Sequence, residues 1–144
     1  MDGAARPAFD GPNPGTTLHR LPIDRPLAVI RNAAFIGCLI ALAVLAWLPA
    51  SAMTRTALGG HAEHLIAYLG TAMVMGLTFQ ASPRLAAHCA LLIGYAAILE
   101  LGQLFAPGRH ASFQDFAFSS AGVVIGGLLL WLARTVVSSR LKFD

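Results

Sequence analysis

The chain has 144 residues, of which 56% are hydrophobic and only 12% are charged, and its formal net charge is +3. Because a soluble domain usually carries about 25% charged residues, this composition excludes an ordinary soluble globular domain. The basic residues are scattered rather than clustered on one segment, which argues against a nucleic-acid-binding protein.

The N-terminal residues 1–31 contain five prolines and four arginines. Such a segment cannot bury enough apolar surface to fold, and we predict a disordered tail. The first apolar span follows at about residues 32–48 and is stopped by Pro49. Because Ala50-Ser51-Ala52 after an apolar run also resembles a signal-peptide cleavage site, cleavage of this span stays open as an alternative.

Three further apolar spans are predicted at about residues 61–79, 83–105 and 113–133. Ser82-Pro83 favours a helix start at the third span, and Pro107-Gly108 ends that span. Ser112-x-x-Asp115 fits a capping box that opens the fourth span. Since about 20 apolar residues cross a bilayer, we predict an all-α integral membrane protein with a four-helix transmembrane bundle over residues 32–133, followed by a basic tail at 134–144.

The basic residues also predict the orientation in the membrane. Lysine and arginine accumulate in cytoplasmic loops, and only Arg55 and Arg109 fall on the opposite side of the predicted spans. We therefore predict a multi-pass protein of the bacterial cytoplasmic (inner) membrane with both termini in the cytoplasm. The eight basic residues on the cytoplasmic side are Arg6, Arg20, Arg25, Arg31, Arg84, Arg134, Arg140 and Lys142.

The two cysteines, Cys38 and Cys89, lie inside apolar spans. They indicate neither a disulfide framework nor a metal site. We predict no cofactor and no metal ion, and the sequence leaves the oligomeric state open.

Under this topology the acidic residues outside the tails, Glu63, Glu100 and Asp115, all fall near the extracytoplasmic ends of spans. A carboxylate in hydrocarbon needs a partner or a proton, and Arg109 can fold back over the third span to hold Glu100 with two hydrogen bonds. His64 is the second candidate partner for Glu100.

Helical spacing adds a polar face and a packing face. His61, His64 and Tyr68 share one face of the second span, and Glu100 and Gln103 share one face of the third. A stripe of small and polar residues in the fourth span is expected to point into the bundle, with Gly122 and Gly126 allowing close helix approach. The stripe consists of Asp115, Ser119, Gly122 and Gly126. Three other polar residues near the span ends are interpreted as solvated interface residues: His61, Glu63 and His110.

The order of these motifs resembles the VanZ-like family, which is named for a teicoplanin-resistance accessory protein. The matching residues span about residues 60–127, and two positions depart from the family pattern: Gly60-His61 replaces an Asp-Lys pair, and Ser119 replaces an asparagine. The matching motifs are His64-x-x-x-Tyr68, Glu100-x-x-Gln103, Pro107-Gly108-Arg109 and Asp115, with Gly122 and Gly126 after them.

The resemblance implies a cell-envelope protein linked to glycopeptide or lipoglycopeptide susceptibility. An extracytoplasmic polar site would bind a lipid-linked envelope component or a glycopeptide at Arg109, with Glu100, Gln103 and His64 shaping the pocket. The alternatives are a membrane-embedded hydrolase or transferase, which carboxylates and histidine could serve, and a small proton-coupled transporter. No nucleophile is evident, so the sequence favours a binding protein over an enzyme.

Overall fold

The computed structural model describes residues 24–52, 59–80 and 82–140. Within these ranges the chain forms four α-helices: α1 (Asp24–Trp47), α2 (Gly60–Thr78), α3 (Leu85–Gly102) and α4 (Phe113–Arg140). Short 3₁₀ helices at Ala50–Ala52 and Gln103–Phe105 follow α1 and α3. The predicted all-α fold class is confirmed for this part of the chain.

Three of the helical segments are long and apolar enough to cross a membrane, namely Arg25–Trp47, Leu85–Phe105 and Phe113–Arg140. Their outer faces are apolar too, since the side chains of Val29, Leu91 and Ile98 are 67%, 73% and 63% exposed. Water rarely tolerates apolar surface of this extent, whereas hydrocarbon solvates it. These helices have the character of a membrane protein.

The helix α2 is different, because its first two turns carry His61, Glu63 and His64. It is not among the three segments that are apolar enough to span a membrane by composition. It contacts each of the other three helices, and its buried residues lie from the middle of the helix onward: Tyr68, Thr71, Ala72, Met75 and Gly76. That α2 also crosses the membrane stays a prediction.

The helices α2 and α4 form the most extensive helix pair in the described residues. A Cβ atom at Gly122 would collide with the carbonyl oxygen of Leu65, and one at Gly126 would lie 2.7 Å from the Cβ of Ala72. The two backbones therefore approach as closely as glycine permits. Successive contacts pair Leu65 with Gly122, Ala72 with Gly126 and Gly76 with Leu130, so α2 and α4 run parallel. The helices α1 and α3 pack antiparallel beside them.

The helix α1 begins at Asp24, eight residues before the start that the sequence predicted. The predicted disordered tail is therefore wrong for residues 24–31, and residues 1–23 lie outside the described part of the chain. Proline is tolerated in a first helical turn, where the N–H groups have no intrahelical acceptor, so Pro26 does not prevent the early start.

The predicted bounds of the third and fourth spans also shift. α3 begins at Leu85 rather than residue 83, because the Ser82 hydroxyl accepts the N–H of Arg84 (3.3 Å) and holds a turn before the helix. α4 continues to Arg140 rather than ending at residue 133, so the predicted basic tail is helical up to that point. The hydroxyls of Ser138 and Ser139 donate to carbonyls three residues earlier, which keeps these polar residues within the helix.

The bundle has two chemically different ends. At the basic end, Arg134 of α4 donates to the carbonyls of Phe79 (3.1 Å) and Ser82 (3.0 Å), just beyond the last turn of α2. The polar end is the one where α1 and α3 finish and α2 and α4 begin. The sequence predicts a ligand-binding or structural polar cluster of seven residues, and all of them lie at this polar end: His64, Tyr68, Glu100, Gln103, Arg109, Asp115 and Ser119.

Candidate functional site

A tight turn positions Arg109 at the polar end. Gly108 has φ 73° and the Arg109 N–H donates to the carbonyl of Ala106 (3.1 Å), as in a type II turn with Pro107 at its second position. The guanidinium then reaches α1, where Nη2 donates to the carbonyls of Ala46 (3.3 Å) and Leu45 (3.5 Å). Arg109 thus binds the C-terminal end of α1, where a cation is favoured by the helix dipole.

The predicted paired hydrogen bonds between Arg109 and Glu100 are wrong. Glu100 is only 7% exposed, and its Oε1 accepts the backbone N–H of Ser112 (2.6 Å). Its Oε2 accepts from the side-chain amide of Gln103 (3.3 Å), which is itself buried. Glu100 therefore ties the end of α3 to the start of α4, while Arg109 ties the same region to α1.

The predicted capping box at the start of α4 forms only in half. The Ser112 hydroxyl accepts the backbone N–H of Asp115 (3.3 Å), as an N-cap does. The reciprocal bond, from the Ser112 N–H to the carboxylate at Asp115, is replaced by the bond to Glu100. The carboxylate of Asp115 is consequently available to α2.

Asp115 sits in a chain of contacts between α2 and α4. Its Oδ1 lies 2.7 Å from Nδ1 of His61, and its Oδ2 lies 3.9 Å from Nε2 of His64. His64 Nδ1 lies 3.2 Å from the hydroxyl of Ser119, which is 2% exposed. We call these four residues, His61, Asp115, His64 and Ser119, the histidine–aspartate chain. The chain runs from an exposed imidazole at the surface to a buried hydroxyl.

His61 belongs to this chain of contacts, although the sequence interpretation left it out of the site. It was expected to be a solvated interface residue, and it is exposed, but it also bonds to Asp115 and stacks on Phe118 with ring centroids 5.1 Å apart. Its spacing of three residues from His64, which places both imidazoles on one helical face, was the signal for this role. That face meets α4 because α2 and α4 are parallel and share register.

His64 was also expected as a partner for Glu100, but its nitrogens face Asp115 and Ser119 instead. It still contributes to the same site, because it lines a cavity of about 90 Å³ together with Glu100 and Tyr68. The cavity lies among α1, α2 and α3 and has room for about three water molecules. Its lining residues are Leu42, Leu45, Ala46, Glu63, His64, Ala67, Tyr68, Leu99, Glu100, Gln103 and Arg109.

The seven predicted cluster residues thus fall into two adjoining groups. Tyr68, Glu100, Gln103 and Arg109 line the cavity, Asp115 and Ser119 belong to the histidine–aspartate chain, and His64 belongs to both. The wall that α1 supplies was not anticipated from the sequence. Within the described residues, no group of three or more histidine, cysteine, aspartate or glutamate side chains is arranged to hold a metal ion.

Comparison of the chain with protein-family models, with curated proteins and with solved structures finds no match. The resemblance described above therefore depends on the order and spacing of the motifs alone.

Proposed function

We propose that this chain is a VanZ-like integral membrane protein of the bacterial cytoplasmic membrane, and that its polar end is an extracytoplasmic site for an envelope or lipid-linked ligand. The observation that carries the proposal is the cavity at the polar end. It gathers two carboxyl groups, an imidazole, a phenol, an amide and a guanidinium around one space. Concave sites with a few convergent polar groups on an apolar wall are the usual form of small-molecule sites.

The position of α2 supports four spanning helices rather than three. α2 lies against α4 from the contact of His61 with Asp115 to that of Gly76 with Leu130. Since α4 is long and apolar enough to cross the membrane, a helix packed along it shares its depth. The charged residue and the histidines of α2 are confined to its first turns, which lie at the polar end. Farther along, the hydroxyls of Thr71 and Thr78 donate to carbonyls of α2 itself.

Cysteine labelling from outside intact cells tests the proposed orientation. In a background with Cys38 and Cys89 replaced by alanine, His110→Cys places a thiol at the polar end and Gln80→Cys places one at the basic end. Both native residues are exposed. We expect a membrane-impermeant maleimide to label position 110 in cells with a permeabilised outer membrane and to label position 80 only after lysis. Labelling in the reverse order would show that the basic end faces outward.

Ligand-detected mass spectrometry of the purified protein tests the site itself. We expect the wild-type protein to carry an envelope-derived small molecule or lipid. Glu100→Gln should reduce its occupancy about tenfold, because a hydrogen bond to a charged group contributes about 1.5–3 kcal/mol. The amide keeps an oxygen for the Ser112 N–H, so the fold should persist.

A matched control comes from the lipid-facing side of α3. Ile98→Val trims a side chain that is 63% exposed and lines none of the cavities described, and it should leave the ligand signal unchanged. A wild-type protein that carries no small molecule, or a Glu100→Gln protein that carries the same amount, would count against a binding site at the cavity.

A hydrolase or transferase is the second candidate, because His64 lies between Asp115 and Ser119 in the order that an activated serine requires. Ser119 is 2% exposed, however, which leaves its hydroxyl no visible access to a substrate. A fluorophosphonate probe separates the two candidates. Covalent labelling that is lost in Ser119→Ala would support the enzyme, and absence of labelling in the folded wild type supports the binding protein.

A further inference from the structure

Glu100 faces a second opening besides the cavity. A groove of about 310 Å³ lies between α3 and α4 on the outer surface of the bundle, and Glu100 lines it as well. The other lining residues are Ala97, Leu101, Ala111, Ser112, Phe113 and Phe116. We call this opening the α3–α4 groove. A single carboxyl group therefore separates the interior cavity from a surface that the membrane covers.

The α3–α4 groove has the lining expected of a lipid contact. Leu101 and Phe113 at its rim are 62% and 82% exposed. Glu100 lies five residues before Phe105, two of them in α3 and three in the 3₁₀ helix, which places it roughly 9 Å from the end of this helical segment. At that depth the headgroup region of a bilayer meets the acyl chains, so a lipid headgroup can reach the carboxyl group without leaving the membrane.

The immediate surroundings of Glu100 favour a cation at this position. Glu100 accepts hydrogen bonds from two neutral donors, and no cationic side chain in the described ranges lies within 4 Å of it. A buried carboxylate is costly unless a cation pairs with it. The rings of Phe113 and Phe116, 6.3 Å apart, add faces that attract cations.

We propose that the α3–α4 groove binds a phospholipid whose headgroup carries a primary ammonium, and that this ammonium donates hydrogen bonds to Glu100. The inference rests on the proposed function, because Glu100 lines both the cavity and the groove, and it assigns a ligand class to the groove. It differs from the expectation from the sequence, which placed the ligand at Arg109 with Glu100 shaping the pocket. The guanidinium instead binds α1, and the carboxyl group is the one that faces the lipid.

The test is native mass spectrometry of the full chain in detergent with an equimolar mixture of phosphatidylethanolamine and phosphatidylglycerol that share the same acyl chains. We expect the wild type to retain the aminolipid about tenfold over the hydroxyl lipid, because only the ammonium can donate a charge-assisted hydrogen bond to the carboxyl group. Retention should fall across the mono-, di- and trimethylated headgroups, since the trimethylated form has no N–H to donate. Equal retention of both lipids by the wild type would overturn the inference without any variant.

Matched variants locate the lipid in the groove. Ala97→Phe fills the α3–α4 groove, whereas Ala90→Phe adds the same ring two turns earlier on the same face of α3, at an exposed position. We expect Ala97→Phe and Glu100→Gln to abolish the preference for the aminolipid and Ala90→Phe to keep it. A preference that survives both groove variants would place the aminolipid elsewhere and overturn the inference.

The same spectra separate this inference from the proposed function. An envelope-derived ligand that is present in the wild type and lost in Glu100→Gln, without any preference for aminolipids, would reject the ammonium headgroup and leave the binding site in place. A wild type that carries neither an envelope-derived ligand nor an aminolipid would reject both.

Discussion

Gly122→Ala should destabilise the folded protein by about 1–3 kcal/mol, the usual cost of overpacking a closely packed interface. The added methyl group would meet the carbonyl oxygen of Leu65 and approach the backbone nitrogen of Leu69 to 3.0 Å. Both are backbone atoms of α2, so no side-chain rotation relieves the collision and the two helices must separate. Because this contact sets the register of His61 and His64 against α4, separation would also disrupt the histidine–aspartate chain.

Gly70→Ala is the matched control on α2. Gly70 is exposed and a Cβ atom there would meet nothing within 4 Å. Since glycine inside a helix costs about 0.5–1 kcal/mol relative to alanine, this variant should be slightly more stable than the wild type. Equilibrium unfolding in mixed micelles measures both variants. A Gly122→Ala protein as stable as Gly70→Ala would show that the α2–α4 contact is looser than the structure indicates.

Arg109→Ala should release the C-terminal end of α1 and empty the cavity of ligand. The guanidinium donates to two terminal carbonyls of α1, and hydrogen bonds to a charged group contribute about 1.5–3 kcal/mol. Arg109 also lines the cavity, as do Leu42, Leu45 and Ala46 of α1. We therefore expect faster amide hydrogen exchange in the last turn of α1 together with loss of the bound ligand.

The basic end supplies a control with the same chemistry. Arg134 donates to two carbonyls beyond the last turn of α2, so Arg134→Ala removes a similar cap far from the cavity. It should lower the stability by a comparable amount but leave both the exchange at the end of α1 and the bound ligand unchanged. If Arg109→Ala and Arg134→Ala had the same effect on the ligand, Arg109 would have no role at the cavity beyond general stability.

The sequence predicted the existence and order of the helices well, because apolar runs of this length and their proline and glycine boundaries are local features. Pro107-Gly108 marks a turn in any context, and the structure forms it there with Gly108 at positive φ. Helix ends were less predictable. Pro26 does not stop α1, since a first-turn proline loses no helical hydrogen bond, and α4 continues seven residues past its predicted end.

The sequence also placed the polar residues at one end of the bundle, because alternating helix directions bring the ends of α1 and α3 beside the starts of α2 and α4. The sequence could not predict which of these polar side chains bond to one another. Glu100 has several potential donors within reach, and the choice of the Ser112 N–H over the Arg109 guanidinium depends on how the turn at Ala106–Arg109 is rotated. The role of His61 depends likewise on the register between α2 and α4.

The sequence alone therefore determined the all-α class, the apolar character of the spans and the end of the bundle at which the ionisable side chains collect. These properties follow from composition, periodicity and chain direction, which need no knowledge of neighbouring helices. The tertiary structure decided which carboxyl group meets which donor, that α1 closes the cavity and that Glu100 lines the α3–α4 groove. These outcomes depend on the distances and rotations between helices, which are set by packing contacts such as Gly122 against Leu65.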